Sequence, residues 1–148
     1  MKQFICKNEE DTIEFCKFLS GQIDNLSEAI ITLEGDLGAG KTFISAKTIA
    51  ILLNKPNLVV QSPTFTIINC YENKINHYDL YRLKTAQELE IIGFYESLFN
   101  KITFIEWPQL ATAHIAQFAT LAPHVAITIK QTTLGERVLV INFPQGYF

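Results

Sequence analysis

Arginine is scarce in this chain, with only Arg82 and Arg137 among 148 residues, and no segment gathers lysines into a basic cluster. The net charge is −3, so the sequence lacks the basic footprint by which a protein grips tRNA or DNA on its own. Any role with nucleic acid is therefore expected to run through partner proteins. Long hydrophobic runs are missing too. The longest, Ile49 to Leu53, is far too short to span a membrane, and Lys2 and Lys7 bracket only four residues, which leaves no secretory h-region. Cys6, Cys16 and Cys70 are scattered and form no C-x-x-C. They read as reduced core residues of a cytoplasmic protein. His77, His114 and His124 lack metal-ligand spacing. With 48% hydrophobic and 18% charged residues, and no repeat, linker or low-complexity stretch, residues 1–148 read as a single globular domain.

What is present is Gly35-Asp36-Leu37-Gly38-Ala39-Gly40-Lys41-Thr42, a match to G-x-x-x-x-G-K-[ST]. Its fixed letters arise by chance in roughly one chain in a few hundred, with Gly at about 7% of residues. Ala29 to Leu33 before it reads as a buried strand. Thr42 to Leu53 after it carries apolar residues at Phe43, Ala46, Ile49, Ala50 and Leu53, a helical spacing. Strand, glycine loop and helix is the order of a phosphate-binding loop. Backbone N–H groups from Leu37, Gly38, Ala39 and Gly40 are expected to cradle phosphates. Lys41, expected to face solvent, would reach the β- and γ-phosphates, and the Thr42 hydroxyl would ligate Mg²⁺.

Elsewhere the pattern predicts an edge strand at Phe4 to Cys6 and a helix from an Asn8 N-cap to about Ile23, burying Ile13, Cys16, Leu19 and Ile23. Pro56 marks a stop after the second helix, and Val59-Val60 reads as short and extended. A hairpin is expected from Phe65 to Tyr71 and Ile75 to Asp79, then a helix near Thr85 to Ile92 and a buried strand at Ile102 to Ile105. A second hairpin joins Val125–Ile129 to Val138–Phe143 around Thr133-Leu134-Gly135. The sum is an α/β P-loop domain: a mixed sheet with parallel core strands, antiparallel hairpins and flanking helices.

Three segments could complete the site. Glu106 ends the Ile102 strand, where a second acid would hold Mg²⁺ or its waters, with an exposed turn residue as the bland alternative. Trp107 beside it reads equally as core packing. Ser62-Pro63-Thr64-Phe65 offers hydroxyls where a switch loop would see the γ-phosphate. Asp79 and Arg82 stand three residues apart at a strand end, as a surface ion pair or as catalytic groups. The GTPase signatures D-x-x-G and N-K-x-D are absent: Asp79 is followed by Leu80-Tyr81-Arg82, and Asn54-Lys55-Pro56-Asn57 lacks the Asp. ATP is the expected nucleotide. A small-molecule kinase is disfavoured by the shortage of arginines for a lid, and a non-hydrolysing interaction module also stays open.

In order along the chain come Gly35 to Thr42, Ser62-Pro63-Thr64-Phe65, His77-x-Asp79-Leu80-Tyr81-Arg82, Glu88-Leu89-Glu90 with Gly93, and Ile105-Glu106-Trp107-Pro108-Gln109. Together they resemble the bacterial TsaE (YjeE) family of P-loop ATPases. The resemblance implies a small cytosolic ATPase working with the TsaB–TsaD complex, in which TsaD transfers threonylcarbamoyl to adenosine 37 of tRNAs reading codons that start with A. It implies phosphate binding at Leu37 to Thr42 and Mg²⁺ at Thr42 and Glu106. Catalytic duties would fall to Lys41, Asp79, Glu106, Thr64 and Arg82. Adenine-side contacts would fall at Asn8, Glu9 and Thr12 and at Arg137, which here follows Gly135 with Glu136 between them.

Overall fold

Three segments are buried along almost their whole length without in–out alternation: Ala29–Glu34, Ile75–Asp79 and Ile102–Glu106. Strands of that kind need cover on both faces, which is the position of parallel strands at the centre of a sheet. The computed structural model describes residues 1–146 and places them there. The strands are β1 (Lys2–Cys6), β2 (Ala29–Glu34), β3 (Ile68–Tyr71), β4 (Ile75–Asp79), β5 (Ile102–Glu106), β6 (His124–Gln131) and β7 (Arg137–Asn142). They form one sheet in the order β1-β7-β6-β2-β5-β4-β3. β6, β2, β5 and β4 run parallel, while β7, β1 and β3 pair antiparallel at the flanks.

Alternation along β2 divides the core. Ala29, Ile31 and Leu33 face helices α1 (Glu9–Ile23) and α2 (Lys41–Leu52), packing with Phe15, Leu19, Ile44 and Ile49. Ile30 points the other way, into a cluster with Leu89, Phe94, Ile115 and Phe118. That face is covered by α3 (Ala86–Ile91), α4 (Phe94–Ser97) and α5 (Thr112–Phe118). A 3-10 turn at Pro108–Ala111 leads into α5. The fold is thus the expected mixed α/β sheet with parallel core strands, consistent with a P-loop NTPase.

Several boundaries differ from the sequence reading. Asn8 does cap α1, its Oδ1 accepting from the Asp11 N–H at 2.8 Å. Thr12 is buried on that helix while Ile13 is only half-buried, because the Thr12 hydroxyl is satisfied by Asn8 O at 3.2 Å. On α2 the buried stripe is Ile44, Ser45, Thr48 and Ile49, and Phe43 and Ala46 lie at its margin. Ser45 enters the core because its hydroxyl donates to Lys41 O at 3.0 Å. Val59 and Val60 belong to no strand. β3 begins only at Ile68, since Ile67 turns at φ 68° and donates its N–H to Pro63 O. α4 and α5 were not foreseen.

Cys6 and Cys16 are buried, but Cys70 is exposed on the edge strand β3 and is not a core residue. Burial raises the Cys6 thiol above its usual range and pushes Cys16 up to about 11. Native protein at pH 8 is therefore expected to yield one thiol to Ellman's reagent, lost in Cys70→Ser, with the other two released by denaturant. Rapid labelling of two or three native thiols would contradict this packing.

Candidate functional site

Register decides which charged groups meet. β2, β5 and β4 lie side by side, with Leu33 opposite Glu106 and Glu106 opposite Asp79. Their C-terminal ends therefore reach one edge of the sheet together, where ligands of open α/β sheets bind. The glycine loop leaves β2 at this edge. Gly35 passes so near β6 that a Cβ would lie 2.9 Å from Ile129 O, and Gly40 turns at φ 109° just before α2. Both positions demand glycine. Between them Ala39 is buried in the core and anchors the loop.

The loop's carbonyls are engaged from several directions. Arg137 Nε donates to Ala39 O at 2.9 Å and Gln131 Nε2 to Gly38 O at 3.4 Å. Lys41 Nζ donates to Gly35 O at 2.6 Å and to Asp36 O at 2.8 Å. No side chain caps the start of α2, so its first N–H groups are left for an external acceptor.

Lys41 was expected to face solvent, and it does not. It is 5% exposed, with its ammonium 4.0 Å from the centroid of the Trp107 ring. An ammonium is a donor only, so two carbonyls and an aromatic face hold it folded back on the loop. Burial lowers its pKa, opposed by the charges of Glu106, Asp79 and Asp36. Trp107 itself adopts φ 57° and ψ 60°, a left-handed conformation uncommon in a bulky residue.

Glu106 is not the exposed turn residue of the bland alternative: it is 2% exposed. Thr42 Oγ1 donates to its Oε2 at 2.9 Å, and His77 Nε2 lies 2.7 Å from its Oε1. Asp79 is 4% exposed and accepts from Thr64 Oγ1 at 2.9 Å and from the Tyr81 N–H at 3.0 Å. Ser62 Oγ lies 2.6 Å from Thr64 Oγ1 and extends that chain of hydroxyls to the surface.

A cavity of about 230 Å³ opens between the loop and Trp107, lined by Leu37, Gly38, Gly40, Lys41 and Thr42. Thr64, Asp79 and Glu106 line it as well, with Phe43. The structure thus unites most of the expected site. Arg82 is not part of it. That residue is exposed, makes no ion pair with Asp79 among the described residues, and lays its guanidinium over Phe65, 4.9 Å from the ring centroid. Asn8, Glu9 and Thr12 do not line the cavity either. Asn8 and Thr12 are occupied in capping α1, and Glu9 is exposed.

Arg137 does reach the loop, through a backbone carbonyl. The sequence reading quoted His77 in the His77-x-Asp79 motif but gave it no role, although its place two residues before Asp79 puts both on one face of β4. It missed Gln131, for which no local signal exists.

Replacing Gly40 by Ala forces a Cβ into a left-handed position 3.1 Å from Arg137 Nε. The expected cost is about 1–2 kcal/mol of stability, read from urea unfolding. An unchanged midpoint would mean that the loop does not hold this turn.

A family model described as threonylcarbamoyl adenosine biosynthesis protein TsaE matches residues 6–139. The chain is 38% identical over 109 residues to the tRNA threonylcarbamoyladenosine biosynthesis protein TsaE of Rickettsia felis, covering 72% of this chain and 62% of that relative. It is 35% identical over 138 residues to the protein of the same name from Rickettsia prowazekii, covering 91% and 90%. For the Aquifex aeolicus protein of that name the identity is 38% over 113 residues, covering 74% and 78%. The matched region thus spans less than two thirds of the Rickettsia felis protein and nine tenths of the Rickettsia prowazekii one.

Proposed function

The chain belongs to the TsaE family, and from that premise we propose that it is a magnesium-dependent ATPase serving tRNA modification. In this reading residues 1–148 act as one P-loop domain in the cytoplasm. The domain supports the TsaB–TsaD complex as that complex places threonylcarbamoyl on adenosine 37 of tRNAs reading codons that start with A. The one observation that carries the reading is the convergence of Lys41, Thr42, Glu106 and Asp79 on a single cavity under a glycine loop. With a net charge of −3, tRNA is contacted through the partners. Among the described residues no helix is long and apolar enough to cross a membrane.

The donor set suits magnesium. Thr42, Glu106 and Asp79 offer hard oxygens only, and among the described residues no cluster of three or more His, Cys, Asp or Glu forms a complete metal cage. Magnesium is commonly held by one or two protein oxygens together with phosphates and water. When bound, it offsets the charge on the phosphoryl oxygens. Thr42 and Glu106 would hold it. Lys41 would exchange its contacts with Gly35 O and Asp36 O for phosphate oxygens, carrying its charge to the reacting group. Asp79, held by Thr64 and the Tyr81 N–H, would orient the attacking water. Arg82 lies outside the cavity and would contribute only after its segment is reorganised, so hydrolysis by the isolated chain should be slow and rise when TsaB–TsaD is added.

Depleting the protein in its host should lower threonylcarbamoyladenosine in bulk tRNA. Wild-type chain should restore it and Lys41→Ala should not. An unchanged level of the modified base on depletion would refute the role. In vitro, Lys41→Ala should cost about 10²–10³-fold in hydrolysis, the range for loss of one preorganised charge partner. Trp107 is the sole tryptophan, so movement of Lys41 off its ring should change the protein's emission when ATP and magnesium are added. A silent indole would show that Lys41 stays on the loop.

A further inference from the structure

Both oxygens of Glu106 are engaged, one by Thr42 and the other by His77. His77 lies on β4 opposite Phe104 of β5, and Glu106 is two residues further along β5. The imidazole thus reaches diagonally along the same face to the carboxylate. It is 0% exposed. An ionised carboxylate only accepts hydrogen bonds, so with Glu106 in that form the contact to Oε1 places the proton on His77 Nε2. Among the described residues Nδ1 has no hydrogen-bond partner. A leucine or phenylalanine would fill this position without an orphaned nitrogen, so core packing alone does not account for a histidine here.

We propose that His77 is a positioning residue for Glu106: its Nε2–H fixes the rotation of the carboxylate and presents Oε2 beside the Thr42 hydroxyl, where magnesium would be held. The proposal rests on the magnesium–ATP reading above. Carboxylates that bind metals work in the orientation their own hydrogen bonds impose, and loss of such a partner typically costs about 10–100-fold in metal affinity.

The test measures ATP affinity by calorimetry, once with excess magnesium and once in EDTA. Wild-type protein is expected to bind more tightly with magnesium. His77→Leu should lose about tenfold or more of that gain while its affinity in EDTA stays near the wild-type value. Glutamine places an amide nitrogen where Nε2 sits, and asparagine places one where Nδ1 sits. His77→Gln should therefore keep most of the gain, and His77→Asn should behave like His77→Leu. A full gain in His77→Leu, equal behaviour of the Gln and Asn variants, or a parallel loss in both buffers would overturn the assignment. A second measurement needs no variant. Long-range ¹H–¹⁵N spectra of wild-type protein should show His77 as the Nε2–H tautomer, its signals shifting with ATP and magnesium but not with ATP in EDTA. The Nδ1–H tautomer, or signals indifferent to magnesium, would likewise overturn it. Absence of ATP binding by wild-type protein in either buffer would refute the ATPase reading itself. Normal binding with a magnesium gain independent of His77 would refute this inference alone.

Discussion

A carboxylate at 2% exposure, held at 2.9 Å by a helix residue and at 2.7 Å by a strand residue, ties three elements of this molecule together. Glu106 ends β5, Thr42 lies in the first turn of α2, and His77 lies within β4. Removing a carboxylate from water is costly unless its lone pairs are met. The start of α2, and with it the glycine loop, is thereby fixed against the edge of the sheet. The rest of the site inherits that placement. Lys41 adjoins Thr42, Trp107 adjoins Glu106, and the Lys41 ammonium lies over the Trp107 ring at 4.0 Å.

Two carboxylates and one ammonium sit buried around a small cavity. As a device for stability this is poor, since buried ion clusters often gain little over apolar packing. As a device for handling a polyanion it is coherent. Burial lowers the lysine pKa against the opposing pull of the nearby acids, and its present partners are neutral carbonyls. A phosphate offers that ammonium a stronger acceptor than a peptide oxygen does. The strain of Trp107 in the left-handed region belongs to the same arrangement.

Much of this was legible in the residues because the signals were local. The phosphate loop, the buried strands and the Asn8 cap depend on neighbours within a few positions. Glu106 and Asp79 could be singled out because each closes a strand, the first of them an apolar run. The losses have a common cause: they depend on contacts remote in sequence. Cys70 looks like a core residue until β3 turns out to be an edge strand. Lys41 looks solvent-facing until Trp107, far along the chain, comes over it. Arg82 looks paired with Asp79 by spacing, yet Asp79 takes its partners from Thr64 and the Tyr81 N–H, and Phe65 takes the guanidinium. α5 lacks any side-chain cap, so no start signal announced it.

The same remoteness explains how a glycine-rich loop becomes one fixed shape. Glycines permit left-handed turns but do not select them, and their freedom must be removed by something outside the loop. Here the β6–β7 hairpin does it. Gln131 and Arg137 come from the facing ends of β6 and β7, are paired with each other in the ladder, and donate to two successive loop carbonyls. Ile129 O on the same hairpin excludes any side chain at Gly35. With its carbonyls bound from outside by the hairpin and by Lys41, the loop keeps a defined path without a side-chain cap on α2. The last strands of the chain thus shape a loop set by its first third, which is why the motif reads locally but its geometry does not.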